Sequence, residues 1–332
     1  MKEYSYTIHS SSGNETAFVL KGNHITIIYH DILNSIAHFV MEHYDKPEHD
    51  NALILVNTLP SDIMLQELKL NECSIKIFYN LEQYVMGKVN EGTKSYFENV
   101  LFEYMRAHNF DEIWDFLMED YEFMPNDLIK KFRFVPPRYS HYFDAVRETI
   151  KARREAINPR YDLFFSGLHD TDTRLWTLAN IQSNKYTTQG IKFITSSGYN
   201  NVNNYDLQSM CKFALDYPHY SLTDQTQTTT RVYDMVMCGN CVIGHYNPKF
   251  INYFEGIIIP VQGDNQTVFA NNVKDVCHSD KPYYNGHEIY KEYTYTDEAY
   301  DAFRKKFIQK YFDLTGINAS AYAGLPLFSA KN

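Results

Sequence analysis

His24-Ile-Thr-Ile-Ile-Tyr29 is an unbroken apolar run, and Ile32, Ile36, Phe39 and Val40 then recur at helical spacing as far as His43. A strand-length run followed by 3.6-residue periodicity marks a β-strand feeding an α-helix. The unit recurs along the chain. Ala52-Leu-Ile-Leu-Val56 and Ile75-Lys-Ile-Phe-Tyr79 read as strands, residues 96–106 as a helix, 111–115 and 132–136 as short strands, and 142–156 as a helix. Continuous apolar strands alternating with helices belong to parallel sheets covered on both faces, so the fold class is α/β, doubly wound and Rossmann-like.

A second series starts after Ile157-Asn-Pro-Arg160, where the proline disfavours helix in the residue before it. Strands are predicted over 162–165, 191–194, 241–243 and 256–260. Helices are predicted over 173–181, over 205–215 carrying Lys212, over 231–238 and over 297–312. A chain of 332 residues exceeds one ordinary core. The expected division is therefore residues 1–156 and 157–332, two Rossmann-like domains facing a central cleft, with the helix over 297–312 long enough to pack back on the first.

Hydrophobic residues form 44% of the chain and charged residues 22%, which excludes a disordered chain. The start, Met1-Lys-Glu-Tyr-Ser-Tyr-Thr-Ile8, lacks a signal-peptide pattern, and no apolar run reaches the roughly 18 residues of a bilayer span. A cytoplasmic protein is expected, and the odd number of cysteines, 5, suits a reducing compartment. A net charge of −10 argues against a surface given over to phosphate backbones. One basic segment nevertheless runs from Lys130 to Arg160 and includes Arg133, Arg138, Arg147, Arg153 and Arg154. It reads either as a solvated helix and linker or as a contact for a polyanion.

In open α/β sheets ligands sit beyond the carboxyl ends of the strands. Three such ends carry chemistry. Asp162-Leu-Phe-Phe-Ser-Gly167 finishes on Ser166 and Gly167, where a missing Cβ lets a phosphate approach backbone N–H groups, and Arg174 follows in the next helix. Arg231 and Asp234 share a helix face at i and i+3, the cation suited to a diphosphate and the carboxylate to ribose hydroxyls. A plain i,i+3 salt bridge is the other reading of that pair. Ile77-Phe-Tyr-Asn-Leu-Glu-Gln83 delivers Glu82 from the first domain, with Asp31 as a second carboxylate after the first strand.

Two further patterns carry less. Asp170-Thr-Asp172 has the form of a metal-bound donor motif but is set off from its strand by a loop, and Cys238-Gly-Asn-Cys241 lacks a second ligand pair, so buried thiols are the simpler reading. No clear motif calls for a divalent metal.

Tyr161-Asp-Leu-Phe-Phe-Ser-Gly167, Arg174 and Thr229-Thr-Arg-Val-Tyr-Asp-Met-Val-Met-Cys-Gly239 resemble the donor half of GT-B nucleotide-sugar glycosyltransferases, within them the DNA β-glucosyltransferase type of T-even phages. Lys76-Ile-Phe-Tyr-Asn-Leu-Glu-Gln83 and Asp111-Glu-Ile-Trp-Asp115 are similar to acceptor-domain segments of related bacterial enzymes. The resemblance implies a glycosyltransferase that moves a sugar from a nucleotide-sugar, a UDP-sugar by preference, to an acceptor hydroxyl. Arg231 and Arg174 would bind the diphosphate, Asp234 the ribose, and Lys212 would stand in for a second arginine of the phage type. Glu82 or Asp31 would be the general base, and Asn80, Gln83 and Arg138 acceptor contacts. The favoured acceptor is hydroxymethylcytosine in phage DNA, which would place the enzyme in host cytoplasm. A surface polysaccharide or other glycan, and a non-catalytic nucleotide-sugar or DNA-binding module, are the alternatives.

Overall fold

The computed structural model describes residues 2–10, 13–30, 33–82, 91–167, 172–182, 191–196, 201–217, 230–245, 254–317 and 322. It divides into two compact units, Met1–Pro137 with Asp301–Asn332, and Arg138–Tyr300.

The first unit holds a seven-stranded sheet in the order β1-β2-β3-β4-β5-β6-β7. Its strands are β1 (Lys2–Ser10), β2 (Gly13–Lys21), β3 (Ile25–His30), β4 (Ala52–Val56), β5 (Ile75–Asn80), β6 (Glu112–Asp115) and β7 (Phe132–Phe134). β1, β2 and β3 pair antiparallel, and from β3 onward every pairing is parallel. The hairpin of β1 and β2 is an addition to the expected α/β series. Helices α1 (Asn34–Tyr44), α2 (Asp62–Glu67), α3 (Glu91–Tyr96) and α4 (Phe102–His108) stand between the parallel strands.

Both faces of this sheet are covered, which is why β4 is buried along its whole length. On one face Tyr79 meets Phe39 of α1 edge-on at 6.1 Å. On the other its neighbour Phe78 meets Phe110, just after α4, at 5.9 Å. The chain from Asp301 onward belongs with this unit, where Arg304 Nε donates to Phe134 O at 2.6 Å and Phe307 stacks on Phe134 at 5.1 Å.

The second unit holds α5 (Asp144–Ile157), β8 (Tyr161–Ser166), α6 (Asp172–Gln182), β9 (Phe193–Ser196), α7 (Asn201–Ser209), β10 (Cys211–Asp216), α8 (Thr230–Met237), β11 (Cys241–His245), β12 (Ile258–Val261), α9 (Gln266–Ser279) and α10 (Gly286–Thr294). The final helix α11 (Asp297–Thr315) begins in it. Its five strands are all parallel, in the order β12-β11-β10-β8-β9. The order reverses at β8: the chain steps outward to β9, then returns to the other side of β8 as β10. Such a reversal splays the flanking connections apart and leaves a crevice at the carboxyl ends of β8 and β10.

Two expectations change here. The stretch read as one helix over 205–215 is helix only to Ser209, and β10 follows. Its residues are buried on both faces, which erases the alternation that distinguishes a strand from a helix. The division falls at Pro137 and Arg138 and not at 156, because α5 is tied to the second unit by its arginines. Arg147 Nη1 donates to Met237 O at 3.1 Å and Arg154 Nη1 to Gly239 O at 2.8 Å, satisfying carbonyls at the end of α8.

Candidate functional site

β8 is an interior strand of its sheet, between β10 and β9, and Phe164 and Phe165 anchor it in the core at 0% exposure. The strand ends on Ser166, and Gly167 follows with φ +154°, its N–H bonded to Ser196 O at 3.1 Å. A Cβ on Gly167 would lie 2.9 Å from Arg231 Nη2, so the glycine makes the space that the guanidinium occupies. Arg231, in the first turn of α8, also lies with its guanidinium carbon 5.5 Å from the Phe165 ring centre. Its Nη1 is 3.9 Å from Asp216 Oδ1, an ion contact too long for a hydrogen bond. Asp216 ends β10 at 1% exposure.

Arg231 therefore spans the carboxyl ends of β8 and β10, the position where strand order reverses. Its Nη1 is buried and has no hydrogen-bond partner among the described residues. A buried guanidinium N–H normally finds an acceptor, since leaving one unmade costs about 1–3 kcal/mol. The geometry suits an anion with several oxygens. Asp234 stands one turn along α8 and is half-buried.

Because the Arg231 guanidinium fills the space beside Gly167, a methyl there displaces the cation before the backbone. Gly167→Ala is expected to weaken nucleotide binding about tenfold and to cost roughly 1–3 kcal/mol of stability through its φ. Titration with a nucleoside diphosphate and thermal melting check the two effects separately.

Lys212 and Arg138 are engaged elsewhere. Lys212 lies at the amino end of β10, on the sheet edge opposite Gly167, and its Nζ is 2.8 Å from Asp162 Oδ1. It cannot serve as the second diphosphate cation from there. Arg138, at 2% exposure, donates to Thr294 O at 2.9 Å, Tyr295 O at 2.6 Å and Asp297 Oδ1 at 2.8 Å, and lies over the Tyr300 ring. It is a structural anchor and not an acceptor contact. Most arginines of the basic segment are engaged in the same way: Arg133 bonds Lys130 O and Phe132 O, Arg153 pairs with Asp206, and Arg147 and Arg154 hold the turn after α8. Arg174 lies in α6, but its side chain is outside the described residues, as are Asp31, Gln83 and Asp170.

In the first unit the carboxyl ends of β4, β5 and β6 gather polar groups. Glu82 follows β5, and its Oε1 accepts from Asn57 Nδ2 at 3.4 Å. The residue is exposed, yet enough protein surrounds the carboxylate that desolvation raises its pKa, with the Asn57 hydrogen bond opposing. A raised carboxylate is a better proton acceptor. Asn80 is buried at 1% exposure, donating to Glu82 O at 2.8 Å and Asp115 Oδ2 at 2.7 Å while its Oδ1 accepts from Glu82 N at 3.2 Å. These bonds make Asn80 a brace for the Glu82 backbone and take up the amide expected to touch an acceptor.

Asp115 and Asp120 are both at 0% exposure, and the same Asn80 nitrogen reaches Asp120 Oδ2 at 3.5 Å. Burial, and then the nearby Asp120, holds the Asp115 carboxyl well above the ordinary carboxylate range. A carboxyl raised in the folded state binds its proton more tightly there than in the unfolded chain. Its contribution to stability is therefore full below the unfolded value and declines as pH rises from near 3.8 toward the raised folded value. Asp120→Asn removes the like charge and is expected to raise the melting temperature at pH 7 by about 2–4 °C, with little effect at pH 4. Melting curves between those two pH values check the sign.

Cys238 and Cys241 are buried free thiols, and burial pushes Cys241 up to about 11. Among the described residues no cluster of metal-ligating side chains occurs and no helix is long and apolar enough to cross a membrane.

No family model matches the chain, and no curated protein matches it. Among solved structures it is similar to an α,α-trehalose-phosphate synthase (UDP-forming) from Burkholderia vietnamiensis, with 12% identity over 86% of this chain and 76% of that one and a TM-score of 0.44. It is also similar to CalG4, the calicheamicin glycosyltransferase, with 9% identity over 87% of this chain and 80% of that one and a TM-score of 0.30.

Proposed function

We propose that this chain is a nucleotide-sugar-dependent glycosyltransferase of the GT-B type. One observation carries the reading: among the described residues, a buried guanidinium N–H of Arg231 lacks a hydrogen-bond acceptor at the point where the second sheet reverses its strand order. A diphosphate there would accept from Arg231 beside Ser166 and Gly167, with Arg174 as a second cation. Asp234 would take ribose hydroxyls. When the sugar leaves, negative charge grows on the diphosphate, and a fixed guanidinium stabilises that charge where it develops. Glu82 would take the proton of the acceptor hydroxyl as it attacks.

The acceptor is a hydroxyl-bearing molecule. Hydroxymethylcytosine in DNA remains one such acceptor, but the segment of Lys130 to Arg160 offers it little free charge, since most of its arginines are bonded within the protein. Incubating the protein with UDP-sugars, alone and with hydroxymethylcytosine DNA or glycans, and reading released nucleotide and product mass tests the reading. Release of UDP from at least one donor is expected. No release, and no binding of any nucleotide, would remove the enzyme reading.

A further inference from the structure

The second unit holds a cavity of about 730 Å³ at the end of its sheet opposite the Arg231 crevice. Pro159 stands just before β8, Lys212 lies in the first turn of β10, and Gly239 closes the turn before β11, so its floor lies at the amino ends of three strands. The crevice at the carboxyl ends is a strand length away, roughly 17 Å for the six residues of β8 or β10. The volume falls within the roughly 300–1,000 Å³ of small-molecule sites, and the transfer chemistry above makes no use of it.

The walls are α5 and the chain entering α10, and their inner side chains are fixed. Besides the carbonyl bonds of Arg147 and Arg154 to the turn after α8, Arg154 Nη2 donates to Gln208 O at 3.3 Å, and its guanidinium lies 4.3 Å from the Tyr284 ring centre. The cavity is therefore formed before a ligand arrives, which lowers the ordering cost of binding. Several wall charges are matched within the protein: Arg147 pairs with Asp144 at 2.6 Å, Lys212 with Asp162 at 2.8 Å, and Glu288 contacts His287 at 3.0 Å.

What is left over alternates in sign. Glu148, Lys151 and Glu155 stand at i, i+3 and i+7 of α5, all exposed, all on the cavity, and their side chains form no ion pair or hydrogen bond among the described residues. The carboxylates only accept and the ammonium only donates. An anionic ligand would be repelled by Glu148 and Glu155, and a cationic one by Lys151. A hydroxyl both donates and accepts and carries no charge, so it suits every step of this row. Beside the row, Tyr284, Pro159 and Pro282 supply apolar surface. Neutral hydroxyls around a ring with an apolar C–H face are the make-up of a sugar.

We propose that this cavity is a second, non-catalytic site that holds a neutral saccharide, its hydroxyls bonded by Glu148, Lys151 and Glu155 and its ring resting on Tyr284. The site is independent of the donor reading, and either can fail alone.

Screening the full chain on an array of neutral glycans, followed by calorimetric titration with the best-bound oligosaccharide, tests the assignment. At least one neutral glycan is expected to bind. Lys151→Ala and Glu155→Ala, both at exposed helix positions, should each weaken that binding about tenfold, the effect of one hydrogen bond to a charged group, and leave UDP binding unchanged. Arg231→Ala should keep the saccharide affinity of wild type. In solution, resonances of Tyr284 in wild-type protein should shift with the oligosaccharide and not with inorganic phosphate, a readout that does not depend on any variant folding. Binding of no neutral glycan, unchanged affinity in both the Lys151 and Glu155 variants, loss of saccharide binding with Arg231→Ala, or a Tyr284 response to phosphate alone each overturns the saccharide site. A chain that binds the saccharide and no nucleotide keeps this site and overturns the donor reading.

Discussion

Glu82→Gln is expected to leave nucleotide binding unchanged and to slow sugar transfer by about 10² to 10⁴-fold. The substitution keeps the size and the hydrogen bond to Asn57, since an amide oxygen accepts from Asn57 Nδ2 as the carboxylate does at 3.4 Å. It removes only the ability to take a proton. Desolvation raises the Glu82 pKa, so the rate governed by this group should rise with pH through a value above the ordinary 4.5 of a glutamate. In the Gln variant that rise should vanish. A Gln variant with wild-type turnover would pass the role to another group.

Arg231→Ala is expected to abolish stabilisation by nucleoside diphosphates, a loss of about 2.7 kcal/mol at a ligand concentration one hundred times the wild-type Kd. Transfer should fall by about 10² to 10³, the usual effect of removing one donor aimed at developing charge. The fold should persist, because among the described residues Arg231 Nη1 makes no hydrogen bond and a 3.9 Å ion contact with Asp216. Thermal melting with and without UDP reads the first effect. Undiminished stabilisation would place the diphosphate elsewhere.

The two substitutions separate binding from chemistry. Loss of donor binding with Arg231→Ala, and loss of turnover alone with Glu82→Gln, is the pattern of a split between holding the leaving group and activating the nucleophile. Both substitutions lowering melting temperature equally without ligand would instead point to structural roles.

Some of the site was legible in sequence because its signals are local. Gly167 ends an apolar strand, and Arg231 opens a helix with small and apolar residues behind it; the structure brings the two side by side, Arg231 Nη2 filling the space a Cβ would take. Asp216 escaped notice because β10 is buried on both faces and read as the end of a helix, which hid the strand terminus that carries it.

Local periodicity determined the class of this protein: apolar runs alternating with helical spacing require parallel sheets flanked by helices, because only then are both faces of such strands kept from water. Tertiary structure decided the site. Strand order set the crevice between β8 and β10, and long-range pairing settled which cations were still available. Lys212 went to Asp162 and Arg138 to the carbonyls of Thr294 and Tyr295, while Arg231 Nη1 has no hydrogen-bond acceptor among the described residues. A charge read from sequence has no partner yet; its partner is chosen only when segments far apart in the chain meet.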